Sequence, residues 1–290
     1  MIPEPAQFLF SENINIYLQS FGNRYLDIFF TAVTNAGSEQ VYIFLASLIF
    51  WCYSKKTGIR AMYVILFSAF AAIFAKNLFG MPRPPEYLRK IPETGFGLPS
   101  GHAQVSSGFW GYMGSRIRKS WFIMVAALAI LSISISRVYL GVHYAGDVAG
   151  GIIFGLVIAY ISYKAEPCIT SRLQRIGRQS KYLVAVIIPV LLVTLASRQS
   201  SLLKEQTEIG VIMASISIGY LLEEERICFE DARNNKQRIK RAFAGVLLLA
   251  MVYLVSALFF PGLIFFKYAA LGVTSTLIAP WVFARMESSS

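Results

Sequence analysis

The chain has 290 residues, of which 56% are apolar and only 15% are charged. Ordinary soluble domains carry about a quarter charged residues, so this composition excludes that class and indicates a membrane protein with several spans. The formal net charge is +11, but the basic residues fall in short loops between apolar runs, which favours lipid headgroup contact and membrane topology over nucleic-acid binding.

Residues 1–38 precede the first long apolar run. They lack a basic start followed by an uninterrupted apolar core, so we expect no cleavable signal peptide. This segment is predicted to lie at the membrane interface or to form an ordinary cap helix on the outer side. Its candidate apolar helix face consists of Phe8, Leu9, Phe10, Ile14, Tyr17 and Leu18.

Nine apolar runs follow this segment and predict an all-α fold, a polytopic membrane helix bundle of about nine transmembrane helices. Several runs are shorter than the roughly 20 residues that a bilayer span needs. The run at 102–115 is rich in Gly and Ser and is predicted to be buried inside the bundle, because small residues allow close helix approach. The predicted spans are residues 39–54, 61–80, 102–115, 120–137, 146–163, 182–197, 208–222, 242–260 and 265–284.

The basic residues orient these spans. With the loop after the first span inside and the loops alternating, eighteen of the 27 Lys and Arg residues lie inside, most of them in 164–181 and 226–241. Cytoplasmic loops carry an excess of Lys and Arg, so we expect the amino terminus outside and the carboxyl terminus inside.

Lys76 and Arg83 mark the first unusual outer loop, Lys76-Asn-Leu-Phe-Gly-Met-Pro-Arg83-Pro84. Seven residues correspond to about two helical turns, so both cations are predicted to lie on one side of the second span's outer end. On their own, two cations at this place are typical of membrane anchoring. The proline cluster from Pro82 to Pro85 ends the helix and stiffens the position of Arg83.

The second outer loop, Gly97-Leu-Pro99-Ser100-Gly101-His102, opens the third span. Proline, serine and glycine before an apolar run are ordinary helix-start residues, and a capped helix explains them. The functional alternative is an anion cradle formed by Ser100 and the backbone amides of Gly101 and His102 at a helix amino terminus. His102 then points at the bound anion.

The third outer loop covers residues 136–147, Ser-Arg-Val-Tyr-Leu-Gly-Val-His-Tyr-Ala-Gly-Asp. Arg137 offers a permanently charged, forked donor that suits a phosphate. If the segment is helical, His143 and Asp147 share one face and can hydrogen-bond. A carboxylate on one imidazole nitrogen leaves the other nitrogen with a lone pair, so His143 is a candidate nucleophile or base.

The two histidines of the chain both lie in these outer loops. A metal site is one explanation, but zinc needs three or four ligands, and the outer loops supply only His102, His143 and Asp147, without a cysteine. The three cations of the same loops would repel a metal ion and attract an anion. We therefore predict an anion site without a metal.

The three loops together resemble the three-part signature of the type 2 phosphatidic acid phosphatase (PAP2) superfamily, which also includes glucose-6-phosphatase and vanadium haloperoxidases. All three parts are complete, in order and correctly spaced. The matching patterns are Lys76-x6-Arg83-Pro84, Pro99-Ser100-Gly101-His102 and Ser136-Arg137-x5-His143-x3-Asp147. The predicted organisation is an interfacial segment at 1–38, a PAP2-like catalytic core at 39–165 and additional transmembrane helices at 166–290.

The resemblance implies a phosphatase that works through a phosphohistidine and needs no metal or other cofactor. It implies that His143 is the nucleophile, that Asp147 orients it, and that His102 protonates the leaving oxygen and then activates water. The implied phosphate ligands are Lys76, Arg83, Ser100, Gly101 and Arg137. Fixed donors of this kind stabilise the charge that spreads over a phosphoryl group in transfer.

The chain is wholly embedded, so a membrane lipid phosphate is the expected substrate: phosphatidate, phosphatidylglycerol phosphate, polyprenyl diphosphate or a sphingoid phosphate. A sugar phosphate, as in glucose-6-phosphatase, and transfer of the phosphoryl group to an acceptor hydroxyl are the enzymatic alternatives. We expect an integral protein of the cell (inner) membrane whose site faces the periplasm, the exterior or a lumen.

A transporter of lipids or anions is the non-enzymatic alternative, because buried charges in a helix bundle are expected there too. That alternative leaves unexplained why both histidines stand beside phosphate-type donors. The four C-terminal spans keep transport open as an additional role.

Overall fold

The computed structural model describes residues 4–196 and 200–288, and within these residues the regular structure is helical, without a strand. The predicted all-α class is therefore confirmed. Three short helices come first: α1 Glu4–Leu9, α2 Asn13–Ser20 and α3 Arg24–Ala36. The longer ones are α4 Glu39–Cys52, α5 Lys55–Phe79, α6 Gly101–Ile117, α7 Ser120–Tyr139, α8 Ala145–Arg175, α9 Arg178–Ala196, α10 Ser200–Arg226 and α11 Asn235–Phe259. The last helix runs as α12 Ile264–Val273, a π-helical turn Thr274–Ile278 and α13 Ala279–Ser288.

Six helices in the described part of the chain are long and apolar enough to cross a membrane: α5, α7, α8, α9, α11 and the continuous Ile264–Ser288. Each of the nine predicted runs coincides with a helix and extends at most two residues beyond it, apart from residue 197, which lies outside the described residues. The count of nine spans is not confirmed, for a different reason in each remaining helix. α4 is apolar but has only 14 residues, α6 is rich in glycine and serine, and α10 carries charged residues near both ends. Those three remain predicted spans.

The amino-terminal segment is not one continuous helix. α1 ends at Leu9 and α2 begins at Asn13, so the predicted single apolar face from Phe8 to Leu18 is wrong. Ile14 and Leu18 of α2 pack against a buried cluster that includes residues of α6, α7 and α8. This part of the segment therefore contributes to the protein core.

One compact unit comprises Met1–Ile43 and Val64–Glu166, with α6 at its centre. α6 is buried along most of its length, as its small residues predict. The closest approach is to Gly155 of α8, where a Cβ atom would lie 2.2 Å from the hydroxyl of Ser107 and 2.3 Å from the carbonyl oxygen of Gln104. Glycine is needed at this position because any larger residue would push α8 away from α6.

A second compact unit comprises Phe44–Tyr63 and Pro167–Ser290. In it α10 packs along α9 and α12. The buried Arg241 forms an ion pair with Glu287 at 2.8 Å and donates to the carbonyl oxygen of Trp51 at 3.0 Å, which satisfies its charge. The predicted division into segments 1–38, 39–165 and 166–290 remains a prediction, and residues 1–3 and 289–290 lie outside the described part.

Candidate active site

The segment between α7 and α8 carries His143. α7 ends at Tyr139 and α8 begins at Ala145, which leaves five residues for the turn between them. Gly141 makes this turn with a φ of +70°, and a Cβ atom there would lie 1.9 Å from the carbonyl oxygen of Leu88. Only glycine combines that backbone conformation with so close an approach.

His143 therefore lies in a turn and not inside a helix, yet it reaches the carboxylate four residues later. Its Nδ1 lies 3.2 Å from Oδ2 of Asp147, and the same oxygen accepts the backbone N–H of Tyr144 at 3.0 Å. Both partners are buried, with exposed fractions of 1% for His143 and 0% for Asp147. The first turn of α8 thus fixes Asp147, and Asp147 fixes the imidazole ring.

The other ring nitrogen of His143 faces Arg83. Nη1 of Arg83 lies 3.0 Å from Nε2. A guanidinium can only donate, so Nε2 is the acceptor and the ring proton resides on Nδ1, where it is donated to Asp147. Burial, and after it the charges of Arg83 and Arg137, hold the pKa of His143 well below its usual value. The resting residue is therefore a neutral imidazole with its lone pair on Nε2.

Arg83 lies beyond α5 and not on it. α5 ends at Phe79, and Gly80 has a φ of +59°, so the predicted two-turn helical relation between Lys76 and Arg83 is wrong. Arg83 is instead fixed by the loops around it and is 7% exposed. Three carbonyl oxygens accept from its guanidinium: those of Thr94 at 3.0 Å, Gly95 at 3.2 Å and Val142 at 2.9 Å.

Arg137, in the last turn of α7, is the second buried guanidinium of the site. Its Nη1 donates to the hydroxyl of Thr34 at 2.8 Å, and its Nη2 forms an ion pair with Glu93. Its Nε is buried and donates to no group in the described residues. Arg137 therefore retains a donor for a ligand.

The start of α6 adds the residues of the second motif. Ser100 precedes the helix and donates its N–H to the carbonyl oxygen of Asp147 at 2.9 Å. Its hydroxyl is buried, does not cap α6 and has no hydrogen-bond partner among residues 4–196 and 200–288. A Cβ atom on Gly101 would lie 4.0 Å from Nζ of Lys76, so the end of α5 faces this helix start. His102 lies within electrostatic range of the same cations.

The structure thus brings the residues of all three motifs into one cluster. Its charged members are guanidinium or ammonium groups and Asp147, and its remaining members offer hydroxyl, amide or imidazole groups. In the described part of the chain, no group of three or more His, Cys, Asp and Glu side chains is placed to hold a metal ion. The cluster is suited to an anion with several oxygens. Its members are Lys76, Arg83, Ser100, Gly101, His102, Arg137, His143 and Asp147.

Glu93 also belongs to this cluster, although no sequence motif contains it. Its carboxylate bridges Arg137 and Arg83, with Oε2 3.4 Å from Nη2 of Arg83. Burial acts to raise the pKa of Glu93, but the charges of Arg137 and Arg83 outweigh burial and hold this pKa below its usual value. Glu93 lies in an irregular loop, so neither a motif nor a helical spacing identifies it.

Asn15 of α2 is a second residue that no sequence pattern singled out. It is fully buried, and its Nδ2 donates to the carbonyl oxygens of Val138 at 2.8 Å and His143 at 3.0 Å. One turn later, Gln19 donates to the carbonyl oxygen of Tyr139 at 2.8 Å. The amino-terminal segment therefore holds both ends of the turn that carries His143.

Known proteins with related sequences are phosphatases by name. The chain is 26% identical over 159 residues to a probable sphingosine-1-phosphate phosphatase of Dictyostelium discoideum, covering 49% of this chain and 39% of that one. It is 29% identical over 137 residues to an undecaprenyl-diphosphatase of Sulfolobus acidocaldarius, covering 45% of this chain and 66% of that one. The chain thus matches less than two thirds of the length of either relative.

The crystal structure of a transmembrane PAP2 type phosphatidylglycerolphosphate phosphatase from Bacillus subtilis also aligns with this chain. The sequence identity is 22% and the TM-score 0.49, over 55% of this chain and 85% of that one. Residues 57–171 match the PAP2 superfamily, and residues 207–290 match the transmembrane extension of PAP2 superfamily phosphatases. The first range contains every residue of the three motifs, and the chain therefore belongs to the PAP2 superfamily.

Proposed function

We propose that this protein is a membrane phosphatase that hydrolyses a lipid phosphomonoester or diphosphate through a phosphohistidine at His143, without a metal ion. The observation that carries the proposal is the state of His143. Asp147 holds the ring proton on Nδ1, and the lone pair of Nε2 faces the buried cations. A neutral nucleophile beside fixed positive charge is suited to attack on a phosphoryl group.

In the first step Nε2 of His143 attacks phosphorus, and the bond between phosphorus and the lipid oxygen breaks. His102, protonated in the substrate complex where the phosphate dianion offsets the neighbouring cations, gives its proton to the leaving oxygen. Arg83 donates to Nε2 in the resting state, so this hydrogen bond must pass to a phosphoryl oxygen before the lone pair is free. The phosphorylated ring carries a positive charge, which the carboxylate of Asp147 offsets.

In the second step water attacks phosphorus and the bond between phosphorus and Nε2 breaks. His102 accepts a proton from the water, which restores its initial state. Lys76, Arg83, Arg137, Ser100 and the amide of Gly101 hold the phosphoryl oxygens through both steps. The hydroxyl of Ser100 and Nε of Arg137 suit this role, since each is buried without a partner in the described residues.

A lipid is the proposed substrate class because the site belongs to a chain with six candidate membrane spans. The related proteins named above act, by their names, on a sphingoid phosphate and on a polyprenyl diphosphate. Phosphatidate and phosphatidylglycerol phosphate end in a phosphomonoester, as a sphingoid phosphate does. The test is phosphate release by purified protein from these four lipids, with glucose 6-phosphate and an acceptor alcohol assayed in parallel. Release from glucose 6-phosphate alone would contradict the lipid assignment, and a phosphorylated alcohol would reveal transfer.

Phosphate release is expected to persist in excess EDTA and to be inhibited by vanadate. The proposed ligands are cations and neutral donors, and vanadate reproduces the five-coordinate phosphorus that they would stabilise. The measurement is the initial rate with and without EDTA and its dependence on vanadate concentration. Loss of activity in EDTA that zinc or magnesium restores would contradict a metal-independent mechanism.

The site is proposed to face the periplasm, the exterior or a lumen, because the heavily basic stretches at 164–181 and 226–241 favour the cytoplasm. Single cysteines are introduced at the exposed residues Glu86 and Gln174 in a cysteine-free background. An impermeant maleimide added to intact cells is expected to label position 86 and to spare position 174. The opposite labelling pattern would reverse the topology.

A further inference from the structure

The carboxylate of Glu93 occupies the place where two of the proposed phosphate ligands would hold their anion. Its two oxygens lie on two different guanidiniums, Oε1 on Arg137 and Oε2 on Arg83. Guanidinium groups bind carboxylates and phosphates through the same pairs of N–H donors. Glu93 therefore uses donors that a substrate phosphate would need.

The site is also closed in this arrangement. The exposed fractions are 1% for His143, 2% for Arg137 and 7% for Arg83. A phosphoryl group can approach Nε2 of His143 only after the groups that cover it have moved. Glu93 covers the guanidiniums of Arg83 and Arg137 and borders solvent, since a quarter of its side chain is exposed.

The hydrogen bonds and ion pairs that attach the middle of the loop carrying Glu93 are made largely with arginines, beside the apolar packing of Ile91 against the cluster that includes Leu140 and Val142. The ends of this loop are fixed by backbone hydrogen bonds, from Lys90 to the carbonyl oxygen of Leu140 and from Gly97 to that of Met81. Between these ends, the carbonyl oxygens of Thr94 and Gly95 accept from Arg83, and that of Glu93 accepts from Arg89. Binding of a phosphate to Arg83 would therefore weaken the attachment of the loop.

We propose that Glu93 is an internal competitor for the substrate phosphate, which must displace its carboxylate from Arg83 and Arg137 before His143 can attack. This inference rests on the proposed function of the same site. The substrate phosphate binds only to molecules whose arginines are free of Glu93. Its apparent affinity is therefore the intrinsic affinity multiplied by the fraction of such molecules. Competition also makes Glu93 a specificity determinant. A terminal phosphate with two negative charges displaces a singly charged carboxylate, whereas a phosphodiester carries only one charge and gains little from the exchange.

The test is the variant Glu93→Gln, with Glu86→Gln as the matched control. Glu86 lies in the same outer segment, is exposed and has no role in the proposed site, so its replacement removes the same charge without touching the arginines. We expect KM for a lipid phosphate and the inhibition constant of inorganic phosphate to fall about fivefold in Glu93→Gln, equivalent to about 1 kcal/mol. Both constants should be unchanged in Glu86→Gln.

The direction in which KM changes in Glu93→Gln distinguishes competition with substrate from a purely structural role of Glu93. If Glu93 only orients the two arginines, its loss would raise KM, and an unchanged or higher KM overturns the inference. Glu93→Asp retains the charge with a shorter reach and is expected to fall between wild type and Glu93→Gln, which keeps the test available if the latter folds poorly.

Thermal stabilisation by inorganic phosphate needs no turnover and is measured in the same proteins. A wild-type protein that releases no phosphate from any substrate would refute the proposed function. The inference would then still be decided by whether phosphate stabilises Glu93→Gln more than wild type.

Discussion

Replacement of His143 by alanine is expected to abolish phosphate release, with a loss of about 10⁴-fold or more in kcat, because neither covalent step has a nucleophile. His143 is 1% exposed and contacts Asp147 and Arg83, so its removal also leaves two buried charged groups with one partner fewer. The thermal unfolding of the purified variant must therefore be measured beside its activity. Loss of activity in a folded protein supports the mechanism, and phosphate release near the wild-type rate would end it.

Replacement of His102, the second histidine of the site, provides a variant for comparison with His143→Ala. A substrate with an aryl phosphate leaving group needs no proton to depart, so His102→Ala should still transfer its phosphoryl group to His143. Hydrolysis of the intermediate would then be slow, because water lacks its base. We expect an acid-labile phosphoenzyme to accumulate in His102→Ala and to be absent from the double variant His102→Ala/His143→Ala. A phosphoenzyme in the double variant would place the nucleophile elsewhere.

The residues predicted for the site lie together in the structure, but their arrangement in space could not be predicted from the sequence. The short spacing was sufficient for His143 and Asp147, because the turn before α8 and the first turn of α8 still bring residues four apart into contact. The same reasoning failed for Lys76 and Arg83, since Gly80 leaves the helical conformation and α5 ends before Arg83. The fold class was predictable because apolar runs of helical length dominate the composition. The number of spans was not, because α6 and α10 carry polar residues that a buried helix accepts and a lipid-facing helix does not.

Asn15 and Glu93 were beyond sequence reasoning for a common reason. Asn15 binds the carbonyl oxygens of residues more than a hundred positions away, and such contacts leave no local pattern. Glu93 lies in a loop without periodicity, and its importance depends on two arginines that meet only in the folded protein. Asn15 donates to backbone carbonyl oxygens, which every type of residue has. The side chains of Val138 and His143 therefore give no indication in the sequence that Asn15 contacts them.

Replacement of Asp147 by asparagine is expected to lower kcat about 10²-fold to 10⁴-fold with little change in volume, because it removes the negative charge that offsets the phosphorylated ring of His143. Oδ2 of Asp147 accepts from Nδ1 of His143 and from the N–H of Tyr144. An asparagine that keeps its oxygen in the place of Oδ2 can still accept from both groups, but this oxygen carries no negative charge. The positive charge that the ring gains when Nε2 attacks then has no carboxylate beside it, while Arg83 remains next to Nε2.

Asp147→Asn is expected to lower both the steady-state rate and the rate at which the phosphoenzyme forms. Asp147→Asn should form the phosphoenzyme slowly even with an aryl phosphate, whereas His102→Ala forms it readily, because the two residues act on different atoms. Asp147→Glu retains a carboxylate and is expected to recover part of the rate, provided that its longer side chain still reaches Nδ1. Rapid phosphoenzyme formation in folded Asp147→Asn would show that the charge of Asp147 does not limit the first step. Asp147 would then serve only to hold the turn against the start of α8, and the nucleophile would owe its reactivity to burial and to the neighbouring cations alone.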